Sequence, residues 1–323
     1  MTITQLRTFL TVARLGSVKA AAHALRITEP AVSGAVAALR KELGDRLFVR
    51  AGHGIALTPG GRRLAAGAAE IVGLAEETRQ RVREAGTDVS YLQVAATETS
   101  AEQILPALLE AFDRKQPGVD ATTLAVPSGL FAELLLDRRA DVTVGPAAAL
   151  RGFGDAIESM PFLRFRLVIV ASPDHPLGDS GSQIPANYLA QERWLLGPGG
   201  LDPGTLAAAF LTRHGIGSAR ASIFPSATAA LHAAAAGDGL SIAFLHVVRE
   251  ELRHRTLKAL DVAGTPVNGM LYASALRGER RSQAASALCR FVTTPAATQA
   301  LLARASGVPV NHFRPTVHVT IWS

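Results

Sequence analysis

The sequence predicts an α/β protein that carries a small helical head, and three observations support this. Apolar residues at helical spacing, with capping residues between them, run up to Gly44; a long helical stretch follows residue 62; and from Tyr91 onward short β runs alternate with helices. A chain of 323 residues at 48% hydrophobic can bury a sizeable core and divides into two or three domains.

The head is read first. Over residues 4–15, Leu6, Phe9, Leu10 and Ala13 follow helical spacing, and Gly16 supplies a residue suited to the position just past a helix end. Ser17 is placed to cap a second helix to about Leu25, and three residues later Thr28 caps a third. Two helices joined so tightly must cross steeply. Pro30 falls in the first turn of the third helix, where its missing N–H has no helical partner to lose. Val32, Val36, Leu39 and Leu43 form the stripe expected to pack on helices one and two. The other face carries Pro30, Ser33, Gly34, Ala37 and Lys41, small residues followed by a base, which suits a DNA major groove. Gly34 costs roughly 1 kcal/mol of helix stability relative to alanine, a loss that close approach of a DNA backbone would offset. After Gly44, "DRLFVRAGHGIALTPGGRRL" reads as a strand, a Gly-rich tip and a second short strand, a wing with Arg50 and His53 flanking its tip.

Charge placement points the same way. Residues 1–62 hold nine Lys or Arg against three acids, so they carry the whole net charge of +6; the remaining 261 residues balance at 24 and 24. A polyanion would meet this head, and nucleic acid is the obvious one. Apolar runs such as "LHAAAAGDGLSIAFLHVV" are interrupted too early to cross a bilayer. The N-terminus lacks the basic, apolar and small-residue order of a secretion signal, so a cytoplasmic protein is expected. The single cysteine, Cys289, excludes a disulfide within one chain and reads as a packed small hydrophobe in a helix.

The ordered stretch "LRTFLTVARLGSVKAAAHALRITEPAVSGAVAALRKELGDRLFVR", followed by "ALTPGG", resembles the winged helix-turn-helix of the LysR-type transcriptional regulators. The resemblance implies that Thr28, Glu29, Pro30 and Ser33 form the base-reading end, while Arg50, His53 and neighbouring basic residues hold phosphates or the minor groove. Lys19, Gly34, Ala37 and Lys41 complete the DNA-binding set. Two positions depart from the family pattern: Glu29 stands where many members have glutamine, and Gly34 where many have a larger polar residue. Glu29 can accept from cytosine or can simply favour the helix N-terminus, and both readings stay open.

Residues 63–84 continue as a helix with Leu64, Ala68, Ile71, Ala75, Thr78 and Val82 spaced alternately by four and three, a heptad seam. The stripe either pairs with a second copy or packs on the same chain. The resemblance implies a dimerising linker helix closed by Gly86, with two recognition helices reading two half-sites of an imperfect palindrome.

The body reads as "YLQVAAT", a helix over 102–114, "VDATTLAV", a helix over 129–136, and "DVTVG". A second lobe opens at "RFRLVIVASPDHPL" and holds "RWLLG", "ARASIF" and "GLSIAFL"; "VNGMLYASAL" and a helix over 281–303 return to the first. Two α/β lobes joined by two crossovers resemble the effector-binding half of the same family, similar in shape to periplasmic solute-binding proteins. The resemblance covers about residues 1–303. The expected divisions are a DNA-binding domain at 1–62, a linker helix at 63–86 and an effector domain at 91–303, with lobe I about 91–162 and 266–303 and lobe II about 163–265. A tail at 304–323 alternates Val317, Val319 and Ile321 like one added strand.

Ligands of open α/β sheets bind beyond the carboxyl ends of the strands, where helix N-termini offer free N–H groups. Thr97, Thr99 and Ser100 follow the first strand, Pro127 and Ser128 the second, Gly145 and Pro146 the third, and Ser226 and Thr228 open a helix of the other lobe. Each hydroxyl is also a helix cap. Together they point to a small, anionic effector, with Thr99, Ser100 and Thr228 foremost and Phe224 and His246 completing the pocket. "GPGGLDPG" from Gly197 lacks the Gly-Lys-Ser/Thr ending of a nucleotide loop and reads as a loop bordering the cleft. No cofactor and no metal are expected. The reading is thus a regulator that binds double-stranded DNA and a small molecule as a homodimer or homotetramer. Two rivals are a two-lobed solute-binding protein or enzyme with an oligomerising head, and a nucleoid protein that coats DNA without regard to sequence.

Overall fold

The computed structural model describes residues 1–51, 54–87, 89–179 and 183–302. His53 and the tail with its expected strand lie outside the described residues. The described residues form two compact units, 1–88 with 136–139 and 89–135 with 140 onward. No described helix is long and apolar enough to cross a membrane.

In the first unit, α1 (Ile3–Leu15) starts with a capping box between Thr2 and Gln5 and ends at Gly16, whose φ of 63° is left-handed. α2 (Val18–Leu25) is capped by Ser17. The turn that follows needs only Arg26, at φ 55°, and Ile27, whose N–H donates to Ala22 O at 3.0 Å. Thr28 then caps α3 (Glu29–Leu43) by accepting from Ala31 N at 3.3 Å. Val32, Val36 and Leu39 are buried with Leu6, Phe9 and Val12, whereas Leu43 is 44% exposed; the apolar stripe outruns the surface that α1 and α2 offer it.

The wing is an antiparallel pair, β1 (Phe48–Ala51) and β2 (Gly54–Leu57), with Arg50 opposite Ile55. Phe9 and Phe48 bring their rings to 5.1 Å and tie α1 to the wing. α4 (Pro59–Glu84) begins four residues before the expected 63. Thr58 caps it by accepting from Gly61 N at 2.8 Å, and Pro59 sits where no N–H is needed. Glycine is required next because a Cβ at Gly60 would stand 2.1 Å from Asp45 Oδ2, and one at Gly61 2.1 Å from Leu47 O. "TPGG" is therefore the join between wing and helix.

The second unit runs β3 (Ser90–Ala96), α5 (Glu98–Gln103), α6 (Leu105–Asp113), β4 (Val119–Ala125), α7 (Phe131–Leu136), β5 (Val142–Gly145), β6 (Ile157–Ala171), β7 (Trp194–Leu196), α8 (Leu206–Arg213), β8 (Ala221–Ile223), α9 (Ala227–Ala235), β9 (Ser241–Phe244), α10 (Arg249–Arg253), β10 (Lys258–Leu260), β11 (Val267–Leu276), α11 (Gln283–Phe291) and α12 (Pro295–Leu302). The helix expected over 102–114 is two helices: Pro106 cannot continue a helix begun at Glu98, and the chain breaks at Ile104. The helix expected over 281–303 likewise splits before Pro295, where Thr294 accepts from Ala297 N.

One sheet of order β10-β6-β11-β5-β3-β4, with β9 also on β6, runs through this unit. β3 lies parallel to β4 and β5, and β11 lies antiparallel to β5 and to β6. β6 and β11 are the crossovers. Their first lobe lies around β5, β3 and β4; their second lies around β9 and β10, with the parallel pair β7-β8 joined through a bridge from Trp194 to Leu240. The register slips between Leu271 and Tyr272, opposite Leu163 and Pro161, so the proline lies in a bulge where β11 leaves β5. β6 starts at Ile157, earlier than the expected opening of the second lobe, because one strand serves both lobes. Each lobe has its own apolar core, around Phe112, Leu108 and Leu288 in the first and around Trp194, Leu240 and Phe210 in the second.

Candidate functional site

On α3, Thr28, Glu29, Pro30, Ser33, Gly34, Ala37 and Lys41 are all exposed and make one continuous face of small residues with bases at its far end. Among the described residues, nothing outside its own helix lies within 4 Å of a Cβ built at Gly34, so their packing does not require glycine there. Glu29, the first residue of α3, sits where a carboxylate favours the positive helix end. Lys19 is exposed in the first turn of α2, and Arg50 is exposed on β1. His53 lies outside the described residues.

The wing is set against α4 by a residue that sequence reasoning passed over. Asp45 Oδ1 accepts from Leu47 N at 2.6 Å and from Thr58 Oγ1 at 2.7 Å. The Thr58 hydroxyl first, then the Leu47 amide, hold its pKa below the usual carboxylate value. Leu47 takes φ 60° to make this turn.

The seam expected on the linker helix divides. Ala68 is buried and Leu64 partly buried in the head core, while Ile71 is 44% and Val82 71% exposed; Leu74, not among the expected seam residues, is 46% exposed as well. The distal half of α4 therefore carries an unpartnered apolar stripe. Its exposed ion pairs, Arg7 and Arg79 with Glu76, add little stability, whereas the Glu77 side chain is 15% exposed and pairs with Arg81 and with the largely buried Arg138.

The second unit gathers the expected cleft residues unevenly. Thr97 Oγ1 donates to Ser100 Oγ at 2.9 Å, and both residues are buried. A Cβ at Gly145 would meet the Phe131 ring at 2.9 Å and Thr97 Cγ2 at 3.3 Å, so Thr97, Ser100 and Gly145 form one packed cluster. Thr99 beside them is half-buried, as is Pro146, and Pro127 is exposed. Ser128 is buried, and its N–H and hydroxyl both donate to Asp202 Oδ2, at 3.0 and 3.1 Å.

Across from them, Ser226 caps α9 through Ala229 N at 3.0 Å. The two remaining N–H groups of that helix end, on Ala227 and Thr228, donate to the Glu102 carboxylate at 2.7 and 2.9 Å. Thr228 itself is exposed. Phe224 packs against the second-lobe cluster that contains Leu195 and Ala230. His246 stacks on Phe244 at 5.5 Å; burial lowers its pKa from 6.5, and its Nε2 is buried without a partner among the described residues. Phe224 and His246 share the second lobe and do not join the Thr97 cluster.

Glu102 and Asp202 were missed, although their contacts span the lobes. "LDPG" carried the only signal: Asp before Pro-Gly accepts from its own turn, as Asp202 Oδ1 does from Gly204 N at 3.1 Å. Glu102 shows no such local pattern, since its partners lie 125 and 126 residues away. Cys289 is buried in α11 with its thiol pushed up to about 11, mainly by burial, so it offers no thiolate near neutral pH.

Residues 3–62 match the family model described as "Bacterial regulatory helix-turn-helix protein, lysR family", and residues 85–296 match "LysR substrate binding domain". An uncharacterized HTH-type transcriptional regulator of Mycobacterium tuberculosis is 38% identical over 324 residues, with 100% of both chains covered. The transcriptional regulator CfxR of Cupriavidus necator is 32% identical over 90% of each chain. The full-length structure of CbnR in complex with its target DNA superposes with TM-score 0.56 and 26% identity, covering 90% of this chain and 99% of that one. Head and body thus match the two halves of one family in the order expected, and the chain belongs to the LysR family of DNA-binding transcriptional regulators.

Proposed function

We propose that the α3 face of Thr28, Glu29, Pro30, Ser33, Gly34, Ala37 and Lys41 enters the major groove of a promoter, with Lys19, Arg50 and His53 on the backbone or minor groove. The observation that carries this is the coincidence of that exposed face with the whole net charge of the chain, which lies in residues 1–62. Gly34 supports it, because a helix that spends about 1 kcal/mol on a glycine its own fold does not need gains only through something outside. The stripe of Ile71, Leu74 and Val82 pairs two copies, so that a homodimer, or a homotetramer built from it, reads an imperfect palindrome in the cytoplasm.

The body binds a small anionic effector between its lobes and acts by binding rather than by turnover. Thr99, Ser100 and Thr228 are its leading contacts, with Thr97, Pro127, Ser128, Gly145, Phe224 and His246 around them. The anionic class is supported by the N–H groups of Ala227 and Thr228, which already take a carboxylate within the chain. The test replaces Ser33→Ala and Lys41→Ala. Each variant is expected to unfold at the wild-type temperature and to bind the promoter at least tenfold more weakly; unchanged affinity in both contradicts the groove assignment.

A further inference from the structure

We propose that Glu102 and Asp202 are positioning residues of the regulatory response: each carboxylate is held by the opposite lobe, and the effector acts on DNA binding by opening this pair of contacts. The inference rests on the reading of the body as an effector-responsive domain.

The two contacts are reciprocal. Glu102 reaches from α5 of the first lobe to the start of α9 in the second, where its two oxygens take Ala227 N at 2.7 Å and Thr228 N at 2.9 Å. Asp202 reaches from the loop after β7 in the second lobe to Ser128 in the first, taking its N–H and hydroxyl at 3.0 and 3.1 Å. Hydrogen bonds from backbone N–H to a carboxylate are charge-assisted, about twice as strong as neutral ones. Among the described residues, Asp45 takes Leu47 N in its own turn and Asp141 takes Gln93 N within the first lobe; Glu102 and Asp202 instead fasten one lobe to the other.

The loop "GPGGLDPG" is built for that closeness. A Cβ at Gly204 would stand 1.8 Å from Ser128 Oγ, and one at Gly199 would stand 3.1 Å from Glu98 Cβ. Glycine at both positions lets the second-lobe loop come down on the first lobe. β6 and β11 run through both lobes, and their pairing is irregular where β11 leaves β5: Leu271 faces Leu163 and Tyr272 faces Pro161, with Phe162 left out of the register. A bulge at that place can bend without breaking the long runs of pairing on either side.

Coupling requires that a ligand favour one arrangement over the other. With the contacts made, the α9 N–H groups are filled by Glu102. An anionic ligand that takes these groups removes Glu102 from them and favours the open arrangement; a neutral ligand has no such leverage.

The test uses the full chain without ligand. Amide exchange at Ala227, Thr228 and Ser128, and the footprint on the DNA upstream of its own gene, are compared for wild type, the double variant Glu102→Gln/Asp202→Asn, and Gly204→Ala. The glycine variant keeps both carboxylates, but its added methyl falls where Ser128 Oγ stands and displaces that hydroxyl from Asp202. Both variants are expected to exchange these amides at least fivefold faster and to change the length of the footprint while keeping its half-sites. A smaller change in exchange, or faster exchange with an unaltered footprint, overturns the proposal. If wild type gives no specific footprint, the regulator reading fails instead, and the exchange rates still decide whether the contacts hold the lobes.

Discussion

Single residues divide between those that serve the fold and those that do not. Gly61 is demanded by the Leu47 carbonyl; among the described residues nothing makes such a demand at Gly34. Replacing Gly34→Ala is therefore expected to stabilise the head by about 1 kcal/mol, read as a rise in unfolding temperature, while weakening promoter binding severalfold. A variant more stable and equally tight in DNA binding would remove glycine's role at the interface. His246 makes a prediction about pH. Burial lowers its pKa from 6.5, so its contribution to stability is fully present above pH 6.5 and is lost as pH falls through the folded-state value. Urea unfolding of wild type is expected to lose stability below pH 6.5 by at most about 1.4 kcal/mol per pH unit from this group, and His246→Phe to flatten that slope.

At the scale of elements, what was legible in the sequence is what local physics decides. Ser17 and Thr28 announce α2 and α3 because capping needs only the next three residues, and Pro30 announces a helix start for the same reason. The start of α4 was misplaced because Thr58 and Pro59 were read with the wing, and the constraint on Gly60 and Gly61 comes from Asp45 and Leu47, more than ten residues earlier. Single helices were expected over 102–114 and 281–303; the breaks before Pro106 and Pro295 follow from the proline ring. Of the cleft hydroxyls expected as caps, Ser226 caps α9, whereas Thr97 makes no side-chain cap hydrogen bond and bonds Ser100 instead; Ser128 and the start of α9 meet distant carboxylates that no spacing reveals. The stripe on α4 is the element with most to gain from a partner. Ile71→Asp with Leu74→Asp is expected to shift the protein toward monomer in sedimentation without unfolding the head, since neither residue belongs to the buried core of the head. An unchanged oligomer would place the subunit contact elsewhere.

For the whole molecule, the distribution of charge separates the two tasks. A head with a surplus of six positive charges over 62 residues is drawn to any duplex, and a balanced body is not. Electrostatic attraction of this kind fades steeply with salt and carries no sequence information, so on the proposed groove assignment selectivity comes from Thr28, Glu29, Pro30 and Ser33 at the start of α3. The body adds control only if its lobes have two arrangements of unequal ligand affinity. The most direct measurement is a nuclease footprint of the full chain on the DNA upstream of its own gene, at physiological salt and with excess unrelated duplex. Two protected half-sites of an imperfect palindrome that survive the competitor are predicted; uniform weak protection that the competitor and salt erase would contradict the account.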